Sequence, residues 1–492
     1  MTKPKREIYL LEGLSPEVRA VTFAKTSRSP KSFRDIAAEL TEEKSAEFHE
    51  KWVVGYGHAS VAEHAFLSIA LENVSSLACK YIEDNRLSSF TEKSSRYQTF
   101  NKTQYYTPKD IAESKYAKEY QEALDNLFDT YEEFYPIMEE FIQKKYPQTE
   151  KQSAGLYKSV TKARICDNIR YLLPQAVYRN LGWTINARNL ELAIVKFLSN
   201  PLTEVREIGQ DIKKAAISEL PTLIKFADQN EYIFKTNEKL GELSKKYDQR
   251  FGQPEMKENI NIVNYDKDGE DRLVAALLYK FSRHNFEKIL AEVKKMSSAE
   301  KEKIIEESLI RRGKFDQPFR ELEHLYYNVD FLMEYSAWYD LQRHRMCTQT
   351  HQLQSFDYGY ATPEEIKEAD LEKQYLEAQE KAKDLFNKVV KIFPWEAQYI
   401  CTFAVYTRVF YTMNLRELHH FISLRSGPKG HIAYRRVAQN LWKKLNEIQP
   451  MLAKFIRVNM ENESESWAAT LDNKAYDMNP FAARERLKQN KG

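Results

Sequence analysis

The chain has 492 residues, enough for about three ordinary domains or two large ones, and 74 Lys and Arg against 72 Asp and Glu leave a net charge of +2. That balance advertises neither a nucleic-acid nor a membrane surface. With Gly at 14 and Pro at 16, both well under the usual roughly 7% and 5%, turn-rich all-β folds and glycine-loop nucleotide folds are disfavoured and long helices preferred. Cys79, Cys166, Cys347 and Cys401 stand far apart with no C-x-x-C pair, which supports neither a disulfide framework nor a zinc ribbon and fits a reducing, cytoplasmic setting. The start from Met1 to Arg6 runs into mixed residues, and no apolar stretch approaches about 18 residues, so neither a signal peptide nor a membrane span is predicted.

In chain order, the apolar run Ile8 to Leu11 precedes a turn-prone segment and a helix-like stretch that ends in Ser27-Arg28. Glu63-His64 follows, then a β-prone run, Phe66 to Val74, predicted as a strand. After Arg86 comes the polar cluster Ser89 to Tyr97. Ser114 to Lys145 then carries apolar residues at helical spacing among charges, as an amphipathic helix does. Arg170 stands before Leu172-Leu173-Pro174, and the octapeptide from Trp183 to Leu190 closes the series.

A polar stretch from Asn237 to Pro254 suits an exposed connection, after which the series repeats. Ile260 to Val263, Ser282-Arg283, Glu323-His324, the β-prone Leu325 to Met333, Arg345 and the amphipathic Leu371 to Ile392 occur in the same order. Tyr411 to Leu418 shares with Trp183 to Leu190 an aromatic-T-apolar-N-x-R-x-L pattern, and Tyr178 and Tyr406 each lie eight residues before the Asn. One such likeness is easy to obtain by chance, but several in one order are not. The sequence therefore predicts two homologous α+β halves, helix-rich, spanning 1–235 and 257–492 about a linker at 236–256.

Two clusters carry candidate chemistry. Ser89-Phe90-Thr91-Glu92-Lys93-Ser94-Ser95-Arg96-Tyr97 offers short hydroxyl donors, a guanidinium for bidentate oxygen contact and an acceptor, the set a phosphate or sugar site needs. A solvated Ser-rich loop has the same composition. Arg343-His344-Arg345 crowds cations whose repulsion a bound anion would offset, as would solvation at a helix end. Arg170 and Arg425, each beside an apolar stretch, read as helix C-terminal charges or as partners for a carboxylate. His58 and His64 are six apart and His419 and His420 adjacent, so no i, i+4 metal pair is formed and no metal is predicted. Gly55-Tyr56-Gly57 is followed by Ser60 where a dinucleotide fingerprint needs its third Gly.

Taken together, Gly57-His58-Ala59-Ser60-Val61-Ala62-Glu63-His64 and then Ser89 to Tyr97 resemble the flavin-dependent thymidylate synthase (ThyX) family, whose motifs read G-H-x-[ST]-x-x-E-H and RHRxxSxNExSxRY. The first half keeps the tail of the second motif as Glu92, Ser94, Arg96 and Tyr97, with Asp84-Asn85-Arg86 in place of its head. The second half keeps the head as Arg343-His344-Arg345, while His351, Leu353 and Ser355 replace the tail. Arg170, before the L-P step, has Gln398 as its counterpart, and Arg425 has Phe197. Asp340 stands where the family usually has Gln.

The resemblance implies a tandem ThyX-like α+β pseudo-dimer, with two chains pairing into the equivalent of the family's tetramer. It implies reductive methylation of dUMP to dTMP with FAD as hydride carrier, and methylenetetrahydrofolate and NADPH as co-substrates. By the same resemblance Glu92, Ser94, Arg96, Arg170 and Arg343 hold dUMP and Arg425 is catalytic beside the uracil. His58, Asn186, Arg188, Arg343, His344, Arg345, Asn414, Arg416 and His420 fall at flavin-contacting positions. A non-catalytic nucleotide- or flavin-binding duplicate is the competing reading. An RNA-binding protein using the Arg343 to Arg345 patch is a third, which the net charge of +2 and the lack of an RNA-binding motif oppose.

Overall fold

A computed structural model describes residues 6–461, apart from 56, 57, 151, 253, 255–258, 314 and 315. The chain's first residues, Gly57 of the G-H motif, Tyr56 of the Gly55-Tyr56-Gly57 fragment, Gln253 of the linker and the end of the second half beyond 461 lie outside the described residues. The chain forms two compact units. One comprises Met1–Lys93, Gln104–Lys115 and Ala176–Gln253, and the other Ser94–Thr103, Tyr116–Gln175 and Pro254–Gly492. The division by packing is thus not the division by sequence repeat, because two segments of the first half pack with the second.

The first unit holds an antiparallel sheet of β1 (Phe66–Ser75), β2 (Ser88–Glu92) and β3 (Tyr178–Asn186), ordered β1-β3-β2. Alternate residues of β3, Arg179, Leu181, Trp183 and Ile185, are buried, the period of a strand with one face on a core. The second unit holds β4 (Ile260–Tyr265), β5 (Tyr326–Glu334), β6 (Cys347–His351) and β7 (Tyr406–Asn414), ordered β4-β5-β7-β6. The strands predicted after each Glu-His pair are β1 and β5. The two apolar opening runs part company: Ile260 to Val263 lies in β4, whereas Ile8 to Leu11 is irregular, with Ile8 90% and Leu10 82% exposed.

One local device recurs in both units. β3 ends in Asn186, whose side chain accepts from the backbone N–H of Asn189 and starts the helix Ala187–Leu198. β7 ends in Asn414, which accepts from Glu417 N–H and starts Leu415–Arg425. These are N-caps, each satisfying a donor that a helix leaves open. Strand register matches as well, since Ser88 pairs with Ile185 and Cys347 with Met413, so Asn85 corresponds to His344 and Arg86 to Arg345.

In the second unit the predicted amphipathic helices are Ala117–Lys145 and Glu372–Val389, which pack on each other. The helix Ala154–Ile169, capped by Ser153, tightens into a 3-10 turn at Arg170–Leu172. From there the chain is tied to the second half by Phe403 N–H to Leu173 O at 3.0 Å and Gln175 N–H to Cys401 O at 2.8 Å. Those bonds set Arg170 against the helix Tyr335–Leu341. Most of the polar connecting stretch is itself helical, Glu231–Phe251, and exposed. Among the described residues no helix is long and apolar enough to cross a membrane, and no group of three or more His, Cys, Asp or Glu could hold a metal ion.

His419 and His431 are each 2% exposed. Burial, helped by Arg312 and Arg457, lowers His419 to about 3. Burial and Arg170 lower His431 to about 3, and burial also lowers His344 and His49. A histidine held neutral in the folded state adds stability above its unfolded value near 6.5 and loses it as pH falls toward its folded value. The urea midpoint should therefore drop between pH 7.5 and 5.5, each such histidine costing up to about 1.4 kcal/mol per pH unit below 6.5. Urea titrations of His419→Gln and His431→Gln should show a shallower pH slope than the unsubstituted chain.

Candidate functional site

Asp340, on the last turn of Tyr335–Leu341, is the centre of a cationic cluster in the second unit. Arg170 has no exposed surface; its Nη2 donates to Ser336 O at 3.0 Å and lies 3.4 Å from Asp340 Oδ2, with Nη1 at 3.5 Å. Its buried Nε has no hydrogen-bond partner among the described residues. Burial works to raise the Asp340 carboxyl, but Arg170, Arg96, Arg343 and Arg425 outweigh it and leave it below its ordinary value. Arg170 thus lies against the carboxylate, and the charges of Arg96, Arg343 and Arg425 act on it as well, two arginines from each half of the sequence.

Arg96 is held as a fork by Asp167, at 2.7 Å from Nε and 2.8 Å from Nη2. Burial raises Asp167, yet Arg96 and His431 bring it down to about 2. Arg96 Nη1 also donates to the Tyr434 hydroxyl at 3.3 Å, and its backbone N–H to Ser94 Oγ at 3.2 Å. A cavity of about 370 Å³ opens beside this pair, with Arg96, Asp167, Tyr171, Glu334, Lys429 and His431 on its wall. The Tyr171 hydroxyl donates to Glu334 there. Arg425 lies 5.4 Å from the centre of the Tyr434 ring and donates through Nε to His344 Nε2 at 2.8 Å. Tyr434 therefore touches both Arg96 and Arg425.

The flavin-position residues are distributed differently. In the second unit Arg416 donates to Pro318 O at 2.9 Å and pairs with Glu323 at 2.7 Å. Asn414, Arg416, Glu417, His420, Glu323 and Met346 line a pocket of about 150 Å³. Arg343 and Arg345 are exposed, whereas His344 between them is buried against Glu417 and Arg425. In the first unit Arg188 pairs with Glu63 as Arg416 does with Glu323. Asp84, in the place of the motif's first Arg, pairs with Lys196 at 3.2 Å. His58 borders a separate cavity of about 730 Å³ with Phe23, Phe48, Trp52 and His64, where Arg28 lies 4.4 Å over Trp52.

Of the residues singled out in the sequence, Arg96, Arg170, Arg343 and Arg425 are brought together about Asp340, and Ser94 supports Arg96. Glu92, Asn186, Arg188 and His58 belong to the first unit. Glu92 pairs there with Arg179 at 3.1 Å, both side chains 1% exposed. Asn186 and Asn414 serve their own helices as caps. Sequence reasoning missed Asp167, Tyr434 and Glu417. Asp167 lies three residues before Arg170 on one helical stretch, the spacing of same-face neighbours, and Glu417 is where the second octapeptide departs from Asn189 of the first.

The sequence profile of the Thy1 family, described as thymidylate synthase complementing protein, matches residues 9–222 and 261–451. The chain is 30% identical to the UPF0159 protein of Chlamydia pneumoniae over 93% of this chain and 92% of that one. It is 27% identical to the UPF0159 protein of Thermoplasma acidophilum over 85% and 90%. The flavin-dependent thymidylate synthase of Clostridium tetani is 25% identical over 43% of this chain and 82% of its own length. A solved structure of flavin-dependent thymidylate synthase ThyX from Helicobacter pylori, complexed with FAD and dUMP, aligns with a TM-score of 0.30 and 18% identity over 41% of this chain and all of that one. Matched by the family profile once in each half, the chain belongs to the Thy1 family in a tandem form.

Proposed function

We propose that the chain is a flavin-dependent thymidylate synthase with a uridylate site in its second unit, forming dTMP from dUMP with methylenetetrahydrofolate and NADPH. The carrying observation is geometric: Arg96, forked on Asp167, and Arg425 both meet Tyr434, while Arg170 reaches Asp340, so arginines from both halves of the sequence share one unit. A nucleotide phosphate is a dianion that planar guanidiniums recognise well. Arg96, fixed by Asp167, stands on the wall of the cavity of about 370 Å³, where a phosphate could meet it. Arg425 beside the uracil would stabilise negative charge that develops on the ring, an interaction stronger in the transition state than in the ground state.

The donor set suits a flavin dinucleotide. Exposed Arg343 and Arg345 offer cations to a pyrophosphate, and Asn414, Arg416 and His420 line room for a ring-sized portion. When bound, FAD would supply the redox chemistry, leaving this chain to bind, orient and balance charge. No cysteine nucleophile enters, for all four thiols are buried, and burial raises Cys166 to about 12 and Cys79 and Cys401 far above the ordinary range.

The test is a visible absorption spectrum with added FAD, repeated while dUMP is titrated, followed by assay of dTMP. A flavin band perturbed by dUMP is expected. Arg425→Ala should lose turnover by about a hundredfold or more, the scale for removing one transition-state donor. Each well-folded Cys→Ala variant should keep turnover. No flavin binding at saturating FAD would overturn the reading, and binding of both ligands without dTMP would favour the non-catalytic duplicate.

Asp340 adds a second expectation. Its charge faces the position of the phosphate, so Asp340→Asn should tighten dUMP binding about tenfold, equivalent to about 1.4 kcal/mol of relieved repulsion. Calorimetric titration at fixed salt checks this. Weaker binding would mean that Asp340 acts chiefly by holding Arg170.

A further inference from the structure

We propose that Glu417 and His344 form a positioning pair that sets Arg425 for the uracil, an inference that rests on the uridylate reading above. His344 lies between two exposed arginines, yet its side chain is 1% exposed. Its Nδ1 is 2.5 Å from Glu417 Oε1 and its Nε2 2.8 Å from Arg425 Nε. An arginine Nε–H only donates, so Nε2 must be the bare nitrogen and Nδ1 must carry the proton toward Glu417. One tautomer satisfies both contacts.

The surroundings hold the ring in that state. Phe421 and His420 stand 4.7 and 5.2 Å from it, centre to centre. Burial, with Arg425 and His420, keeps His344 neutral. Glu417 and Arg425 occupy the first and last turns of Leu415–Arg425, about 12 Å apart along the axis at the usual helical rise, and His344 bridges them from the Arg343–Arg345 turn. Anchoring through Nε leaves Nη1 and Nη2 outside this bond, while the Tyr434 ring lies against the guanidinium and its hydroxyl meets Arg96. The orientation of the uracil-side arginine is thereby joined to that of the phosphate-side one.

The first half supplies an internal control. By strand register and motif alignment its residues at these positions are Asn189, Asn85 and Phe197, so all three members are replaced. Asn85 donates to Ile82 O, Asn189 to Asn186 Oδ1, and Phe197 packs 6.0 Å from Trp183, ring to ring. The capping Asn and the Arg that pairs with Glu63 or Glu323 are kept in both halves. A pair needed only to build the helix would be expected twice. This one accompanies Arg425 alone.

The experiment compares His344→Leu, His344→Gln and Glu417→Gln in the full chain loaded with FAD. Glutamine can accept from Arg425 through its carbonyl and donate to Glu417 through its amide. His344→Leu should lower kcat for dTMP about a hundredfold, with FAD affinity and the calorimetric Kd for dUMP within about threefold of wild type, and His344→Gln should recover at least a tenth of the wild-type rate. Glu417→Gln should fall between them. Loss of FAD binding in His344→Leu would assign His344 to the flavin instead, and an unchanged kcat, or a Gln variant as poor as Leu, would equally overturn the proposal. In ¹⁵N-labelled protein the His344 imidazole should be protonated at Nδ1 and bare at Nε2 at pH 7; the other tautomer would overturn the pair whatever the rates. Absence of dTMP from wild type, with the expected tautomer present, would defeat the reaction reading and the role in it, leaving the hydrogen-bonded pair itself standing.

Discussion

Four guanidiniums can share a small volume only if something negative is placed among them. Two such groups roughly 6 Å apart repel by about 3 kcal/mol at an effective dielectric of about 20, and desolvation adds to that cost. The chain meets it with carboxylates of its own: Asp167 as a fork on Arg96, and Asp340 facing Arg170, Arg96, Arg343 and Arg425. The cluster is therefore held together by carboxylates that the chain itself supplies. The histidines at its margin follow from the same condition. His344 and His431 stay neutral because burial and nearby arginines disfavour another cation.

The fold places these charges with a device used twice. A strand ends in an Asn that caps the next helix, and an Arg two residues on pairs with the Glu of a Glu-His step, as Arg188 with Glu63 and Arg416 with Glu323. Repeated sequence thus gives repeated local structure. The packing is not repeated: residues 94–103 and 116–175 of the first half join the second half in one compact unit. That exchange brings Arg96 and Arg170 into the same unit as Arg343 and Arg425, although the first and last lie more than 300 residues apart in sequence.

Much of this could be read from the residues. Short apolar, β-prone runs after each Glu-His pair mark β1 and β5, helical spacing marks Ala117–Lys145 and Glu372–Val389, and the ordered repeat marks the two halves. The different fate of the two opening runs was not legible, because Ile8 to Leu11 is at least as apolar as Ile260 to Val263, yet among the described residues only the latter pairs as a strand. The arginines were legible through spaced motifs, but not their counter-charges. Asp167 looks like an ordinary helical acid until the tertiary fold sets it against Arg96, and Asp340, marked in the sequence only as standing in place of the family's Gln, meets Arg170 by the same packing. Glu92 shows the converse: a motif position whose side chain is committed to buried Arg179, a pairing set by the register of β2 on β3 and invisible in the motif itself.

A tandem chain is also free in a way that an assembly of identical subunits is not. When one sequence builds every copy, a residue needed at any site must be kept in all of them; after duplication it need remain only where it is used. The abandoned positions here have been settled in physically inexpensive ways. Phe197, in the place of Arg425, packs on Trp183; exposed Asp84, in the place of Arg343, pairs with Lys196. Gln398, in the place of Arg170, is fully buried but neutral, accepting from Gln354 N–H and donating to Trp395 O. Without Asp340 opposite, a buried arginine there would need a new counter-charge, whereas an amide needs only the two hydrogen bonds the backbone already offers. The asymmetry of the halves thus follows the electrostatics: cations persist where carboxylates compensate them, and neutral or exposed residues replace them elsewhere.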